Sequence, residues 1–289
     1  MWILFAFGSA FFAGITAILA KIGVKDTDSN LLTALRTAVV FVFAWIIVLI
    51  TGAWNTIEDV TPHTWIFLCA SGITTGASWI CYFRALQIGD INKVVPIDKS
   101  SVVLSILLGV IVLGEPISLA TGICIALIAV GTLLMINKKS STPNGASNNT
   151  ASLIYAVLSA VFAALTALLS KIGITGIDSN LGTAVRTGVV LVMAWGIVFA
   201  SGKHKLIKEI SKKSMLFIFL SGLATGLSWL CYYRALQDGA MSVVVPIDKL
   251  SIVISVAFAY IVFKEKLSLK AFIGLILLVA GTLGMVFFK

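Results

Sequence analysis

Arg36 and Arg186 stand about two turns inside long apolar stretches, a depth at which a guanidinium must be paired or face water. Further charges come from the string Val-Val-Pro-Ile-Asp-Lys, which occurs at 94–99 and again at 244–249 and supplies Asp98, Lys99, Asp248 and Lys249. Proline suits the first turn of a helix, and a carboxylate there meets the positive end of the dipole. Each aspartate is therefore read either as a cap or as a group that faces a wet cavity and can carry a coupling proton. Capping does not account for the lysines, because a cation is disfavoured at a helix N-terminus; they face the cavity or snorkel to the headgroups. Hydroxyls complete the set. Ser71, Thr75, Ser78 and Tyr82 recur every three or four residues, as do Ser221, Thr225, Ser228 and Tyr232, so each group shares one helix face. Asp98, Ser101 and Ser105 form a second stripe, matched by Asp248, Ser251 and Ser255. Such groups can bind and pass on a polar solute. The plainer reading of the hydroxyls is that they bond neighbouring helices or their own backbone, at ~1 kcal/mol apiece.

Lys21 and Lys171 end apolar segments above Ala13 and Ala17, or Ala163 and Ala167, and are secondary cavity candidates, with snorkelling as the alternative. Trp79 and Trp229 can wall a cavity or pack against neighbours. Arg84 and Arg234 are read as interfacial anchors, and Gly72-x-x-x-Gly76 and Gly222-x-x-x-Gly226 as close helix contacts. Glu115 and Glu265 are read as exposed carboxylates in short turns. Catalytic sets are missing from the sequence: there is no Walker-type loop, no nucleophile beside a base, and no partner at metal spacing for His63 or His204. The four cysteines lie in apolar segments without a Cys-x-x-Cys pair. No cofactor, metal or nucleic acid is expected.

The elements that must hold these residues are apolar. Hydrophobic residues make up 59% of the chain and charged ones 11%, where a soluble domain carries about a quarter. Ten blocks are each long enough to cross the hydrocarbon core: 2–22, 30–50, 64–88, 94–113, 117–136, 152–172, 181–200, 214–238, 244–263 and 267–288. The first has no Lys or Arg before it and no small-residue cleavage site after it, so it is expected to stay in the mature chain. The second half repeats the first at a constant offset of 150, without a gap and with about 63 of 139 aligned positions identical. The chain thus divides into a five-helix unit at 1–139, a polar linker at 140–150, and a second unit at 151–289.

A unit with an odd number of crossings must insert its second copy upside down. Loop charge agrees. Gly52 to His63 and Gly114 to Ala120 hold no Lys or Arg, whereas their counterparts hold Lys203, Lys205, Lys208, Lys212, Lys213, Lys264, Lys266 and Lys270. Lysines accumulate where a loop stays cytoplasmic, which explains most of the net charge of +9 and, counted literally, puts both termini outside.

The strings from Trp79-Ile80-Cys81-Tyr82-Phe83-Arg84-Ala85-Leu86-Gln87 through Val95-Pro96-Ile97-Asp98, then Leu113-Gly114-Glu115-Pro116-Ile117 and Gly131-Thr132, are similar to the Tyr-x-Ala-Leu, x-Pro-Ile and Gly-Glu-Pro features of the EamA family of the drug/metabolite transporter superfamily. The resemblance covers nearly the whole chain, twice over. It implies an all-α integral membrane protein with ten transmembrane helices in two inverted five-helix repeats. It further implies a central cavity, peripheral fifth and tenth helices, alternating access by rocking of the halves, and metabolite transport, often export of amino acids or related molecules. Two features depart from it. The small multidrug-resistance relatives rely on a glutamate midway along the first helix, and Trp2 to Ile22 holds no acid. Ten-helix members are commonly drawn with both termini cytoplasmic, against the charge count.

The expected function is non-ATP transport of a small polar metabolite across the cell membrane. Arg36, Arg186, Lys99 and Lys249 outnumber Asp98 and Asp248, which favours an anionic or zwitterionic cargo such as an amino acid. The alternative is a multidrug or cation exporter of the small multidrug-resistance type; a membrane-embedded enzyme is the lesser rival. Expected partners are the bilayer, the solute and a coupling ion. Oligomeric state leaves no signal in the sequence.

Overall fold

The computed structural model describes residues 1–23, 28–58, 60–88, 94, 97–98, 100–135, 149–263 and 268–288. Among them every regular element is helical: α1 (Trp2–Gly23), α2 (Ser29–Thr51), α3 (Pro62–Ile88), α4 (Ser101–Leu113), α5 (Leu119–Leu134), α6 (Asn149–Gly173), α7 (Ser179–Ala200), α8 (Lys212–Asp238), α9 (Met241–Lys249), α10 (Ser251–Phe263) and α11 (Leu269–Phe287), with short 3-10 turns after α2 and α7. Eight stretches are long and apolar enough to cross a membrane, one of them running over the α9–α10 junction; α4 and α5 are shorter apolar helices in the two remaining blocks. The protein is a multi-pass membrane protein. Up to residue 148, the expected linker lies outside the described residues.

The sequence repeat is reproduced in the way helices begin. Asp28 accepts from the N–H groups of Asn30 and Leu31, and Asp178 from those of Asn180 and Leu181. Thr61 and Ser211 take the N–H of the residue three positions on, and so do Ser118 and Ser268. Each side chain satisfies a donor that the helix itself leaves open.

Packing runs mainly between the halves. α1 lies along α8, pairing Trp2 with Gly239, Ser9 with Ser228 and Thr16 with Thr225, so the two are antiparallel. α3 lies along α6 in the same way, with Ala85 against Ser152, Ser78 against Ser159 and Thr75 against Thr166. Glycines permit close approach at matching places. A Cβ at Gly72 would stand 2.6 Å from the Cβ of Val189 on α7, and one at Gly222 would stand 2.7 Å from that of Val39 on α2. α5 and α11 meet backbone to backbone: a Cβ at Gly131 would lie 2.6 Å from the Gly274 carbonyl oxygen, and one at Gly281 would lie 2.7 Å from that of Cys124. Their outer faces expose Ile123, Val130, Phe272 and Ile276, as suits lipid.

The proline string departs from the reading that proline opens a helix. α9 begins at Met241, carries Pro246 inside it and places Asp248 in its last turn. Pro246 has no N–H for the Ser242 carbonyl, so the ladder loses a bond there. The chain turns at Leu250 (φ −63°, ψ −11°) before α10, and Ser100 has nearly the same backbone (φ −64°, ψ −13°) before α4. Tight turns bridge both breaks, Leu250 N to Ile247 O at 2.9 Å and Ser100 N to Ile97 O at 3.1 Å. Broken backbone is tolerated at membrane depth where protein or a wet cavity surrounds it.

Two outcomes follow for stability. Gly131→Ala should lower the melting temperature by forcing α5 from α11, at a cost of about 1–3 kcal/mol. Gly122→Ala on the same helix, where a Cβ meets nothing within 4 Å, should be neutral or slightly stabilising in the same thermal assay. At the loop face, burial pushes the Asp28 carboxyl up, but the Lys203 ammonium and the Leu31 and Asn30 N–H groups outweigh it and hold the carboxyl below its ordinary 3.8. A depressed folded value stabilises above 3.8 and is lost as pH falls through the folded value. The melting-temperature gap between wild type and Asp28→Asn should therefore be full at neutral pH and close on acidification below about 3.8.

Candidate functional site

Two neighbouring cavities gather most of the polar residues from the two halves. One, of about 230 Å³, is lined by Arg186, Ser228, Trp229, Tyr232, Tyr233 and Asp248. The other, of about 350 Å³, is lined by Arg36, Ser78, Trp79, Tyr82 and Asp98, with Thr33. Apart from Tyr233 and Thr33 the two sets are the same residues 150 positions apart. Ser101, Val102, Ala163 and Lys249 border both and form the wall between them.

The aspartates are held across the halves. Ser9 Oγ on α1 donates to Asp248 Oδ1 at 2.6 Å, and Ser159 Oγ on α6 donates to Asp98 Oδ1 at 2.8 Å. Ser228 and Ser78 bond the same two serines, completing a matched pair of Asp–Ser–Ser groups. Lys249 Nζ stands 3.7 Å from Asp248 Oδ2, with its side chain 44% exposed. Ser9 and Ser159 are not singled out as site residues from sequence, though a signal existed: Ser9 and Thr16 recur as Ser159 and Thr166 within mainly apolar helices.

The two arginines differ. Arg186 is 2% exposed and donates from Nε to Ser71 Oγ at 3.1 Å and from Nη2 to Thr75 Oγ1 at 2.6 Å. Its guanidinium carbon lies 4.9 Å from the ring centre of Tyr233 and 5.4 Å from that of Trp229. Ser71 and Thr75 thus stand behind the cavity and hold the arginine. Arg36 is partly exposed; Ser221 and Thr225 donate to the Ile218 and Ser221 carbonyls just as Ser71 and Thr75 donate to those of Leu68 and Ser71, but only the latter pair also accepts from an arginine among the described residues. Ser251 is half-buried and borders neither cavity. Lys99 and the side chain of Lys21 lie outside the described residues.

A third cavity, of about 700 Å³, opens among helix ends: the starts of α3 and α9 and the ends of α4, α6 and α8. Lys171 borders it and donates from Nζ to the carbonyls of Gln237 at 3.0 Å and Gly239 at 2.8 Å, meeting the negative end of α8. Glu115 does the converse. Its carboxylate accepts from the N–H groups of Met241 at 2.6 Å and Ser242 at 3.0 Å, capping α9 from the other half of the chain. The turn between α8 and α9 is thereby held at both ends by charge. Among the described residues no three His, Cys, Asp or Glu side chains gather in a metal-binding group.

Comparison with known proteins agrees with this duplicated architecture. The EamA-like transporter family matches residues 1–137 and again 150–287. The chain belongs to that family. An uncharacterized transporter from the cobO 3′ region of a Sinorhizobium species is 43% identical over 134 residues, which is 46% of this chain and 95% of that protein. That relative therefore corresponds to one repeat. An uncharacterized protein of Methanocaldococcus jannaschii is 32% identical over 79 residues, covering 27% of this chain and 58% of its own length. A protein solved by crystallography shares the fold at a TM-score of 0.77 over 99% of this chain and 96% of its own, with 17% identity.

In this EamA-like chain the Glu115 cap should matter for folding. Glu115→Gln, which leaves one neutral acceptor for two N–H groups, should lower thermal stability by roughly 1–2 kcal/mol. Glu58→Gln, at an exposed position, should leave the melting curve unchanged.

Proposed function

We propose that the chain is a secondary transporter that moves a small polar metabolite, anionic or zwitterionic, by alternating access between two inverted halves. The observation that carries this reading is the pair of adjoining cavities lined by repeat-related residues with a shared wall. Two such half-sites, one from each repeat, are what a carrier needs to offer one solute similar contacts from either side. Inversion is supported by helix directions. α3 is antiparallel to α6 and α1 to α8; since α1 and α3 are separated by a single crossing, α6 must run opposite to α1, its own repeat partner. The ion pair between Lys203 and Asp28 joins loops that this arrangement places at one face. That face carries the lysine excess, so it is the cytoplasmic one, with both termini outside.

Arg36, Arg186 and Lys249 border the cavities against Asp98 and Asp248, which favours cargo bearing a negative group. Asp98 and Asp248, each with a serine donor from the opposite half, are the groups for a coupling proton. Trp79 and Trp229 wall the apolar part of the solute.

Reconstitution tests both parts. Purified protein in liposomes should exchange labelled amino acids or small carboxylates, and a pH gradient should drive their net uptake. Asp98→Asn or Asp248→Asn should abolish the pH-driven component and spare counterflow; unchanged pH dependence in both variants excludes the proton role. Movement of quaternary ammonium compounds without amino acids or carboxylates overturns the assignment of cargo.

A further inference from the structure

The repeats surround Arg36 and Arg186 with nearly the same residue types, Tyr233 standing where the first copy has Phe83, yet leave the two guanidiniums in different conditions. Arg186 is almost fully buried, and among the described residues the partners of its guanidinium are two hydroxyls and two aromatic rings. Among the described residues no carboxylate lies within ion-pair distance of it. Hydroxyl dipoles and π faces recover part of the cost of burying a cation but supply no counter-charge. One donor is left over. Arg186 Nη1 is buried without a hydrogen-bond partner, and the residue borders the 230 Å³ cavity. At ~30 Å³ per water that space holds about eight water-sized groups, enough for a small organic acid. Arg36 borders the larger cavity and is only partly buried, and none of its nitrogens is among the buried polar atoms left without a partner.

We propose that Arg186, rather than its repeat partner Arg36, seats the anionic group of the cargo, with Nη1 as the donor; this rests on the reading of the chain as a carrier of anionic or zwitterionic solutes. With Nε tied to Ser71 and Nη2 to Thr75, the plane of the guanidinium is set before the solute arrives, which lowers the cost of ordering the site. The guanidinium carbon also sits over the rings of Trp229 and Tyr233, which holds the group further in place. Asp248 lines the same cavity and repels a second negative charge, so the seat favours a monoanion or zwitterion over a dianion. The two repeats are therefore unequal partners in binding, although their sequences match at both arginines.

The test uses the purified full-length protein and its melting temperature with a panel of small monocarboxylates and amino acids, each paired with its own primary amide. Sodium chloride titrated alone asks whether an inorganic anion takes the same seat. At least one carboxylate should raise the melting temperature while its amide does not. Its apparent affinity should weaken about tenfold or more in Arg186→Gln and several-fold less in Arg36→Gln. Arg186→Lys, which keeps the charge but loses the planar fork, should lose most of the affinity too, and it carries the test if the glutamine variant does not fold. A carboxylate shift that survives both Arg186 variants removes the seat and leaves the carrier reading intact. Shifts from cationic or neutral compounds alone overturn the anionic cargo itself. An Arg186-dependent shift given in full by chloride, or a panel with no shift at all, overturns the seat.

Discussion

Helices in lipid gain nothing from hiding apolar surface from one another, so their association depends on close van der Waals contact and a few polar bonds. In this protein both are spent between the halves. α1 finds its main partner in α8, α3 in α6, and α5 in α11, with glycines at the tightest points and serine or threonine pairs between them. Neither repeat holds its own first and third helices together in this way. Each five-helix unit of this chain thus takes its main helix contacts from the other.

From that interdependence comes the shape of the site. Because α1 and α6 each cross into the other half, Ser9 and Ser159 reach aspartates they could not meet within their own repeat. The broken stretch around Leu250 puts Asp248 in the smaller cavity and Lys249 at the wall shared by both. Glu115 and Lys171, also drawn from different halves, fix the turn that leads into that stretch. The two Asp–Ser–Ser groups and the Glu115 cap therefore report the position of one half relative to the other.

Much of this could be read from residue order. The apolar blocks anticipate helices, eight of them in stretches long enough to cross a membrane, and the glycine spacing on α3 and α8 anticipates contacts that are found. The comparisons establish the family that the motif order resembles. What escaped is a matter of partners. Periodicity tells that Ser71, Thr75 and Ser78 share a face but not that the first two turn to an arginine 115 and 111 residues away, while the third turns to a serine and borders a cavity. Glu115 looks like any turn carboxylate until the start of α9 is set beside it. Pro246 reads as a helix opener because the five helical residues before it carry no distinguishing mark.

The order in which the chain is made gives the buried arginine a history. A translocating helix with arginine near its centre enters lipid at a penalty of ~2.5–3.5 kcal/mol unless something receives the side chain. Here α3, with its two waiting oxygens, leaves the ribosome long before α7 does. The earlier half acts as an intramolecular docking berth for the later one, whereas Arg36 emerges with no such berth yet built. The twin arginines thus enter the bilayer under different conditions.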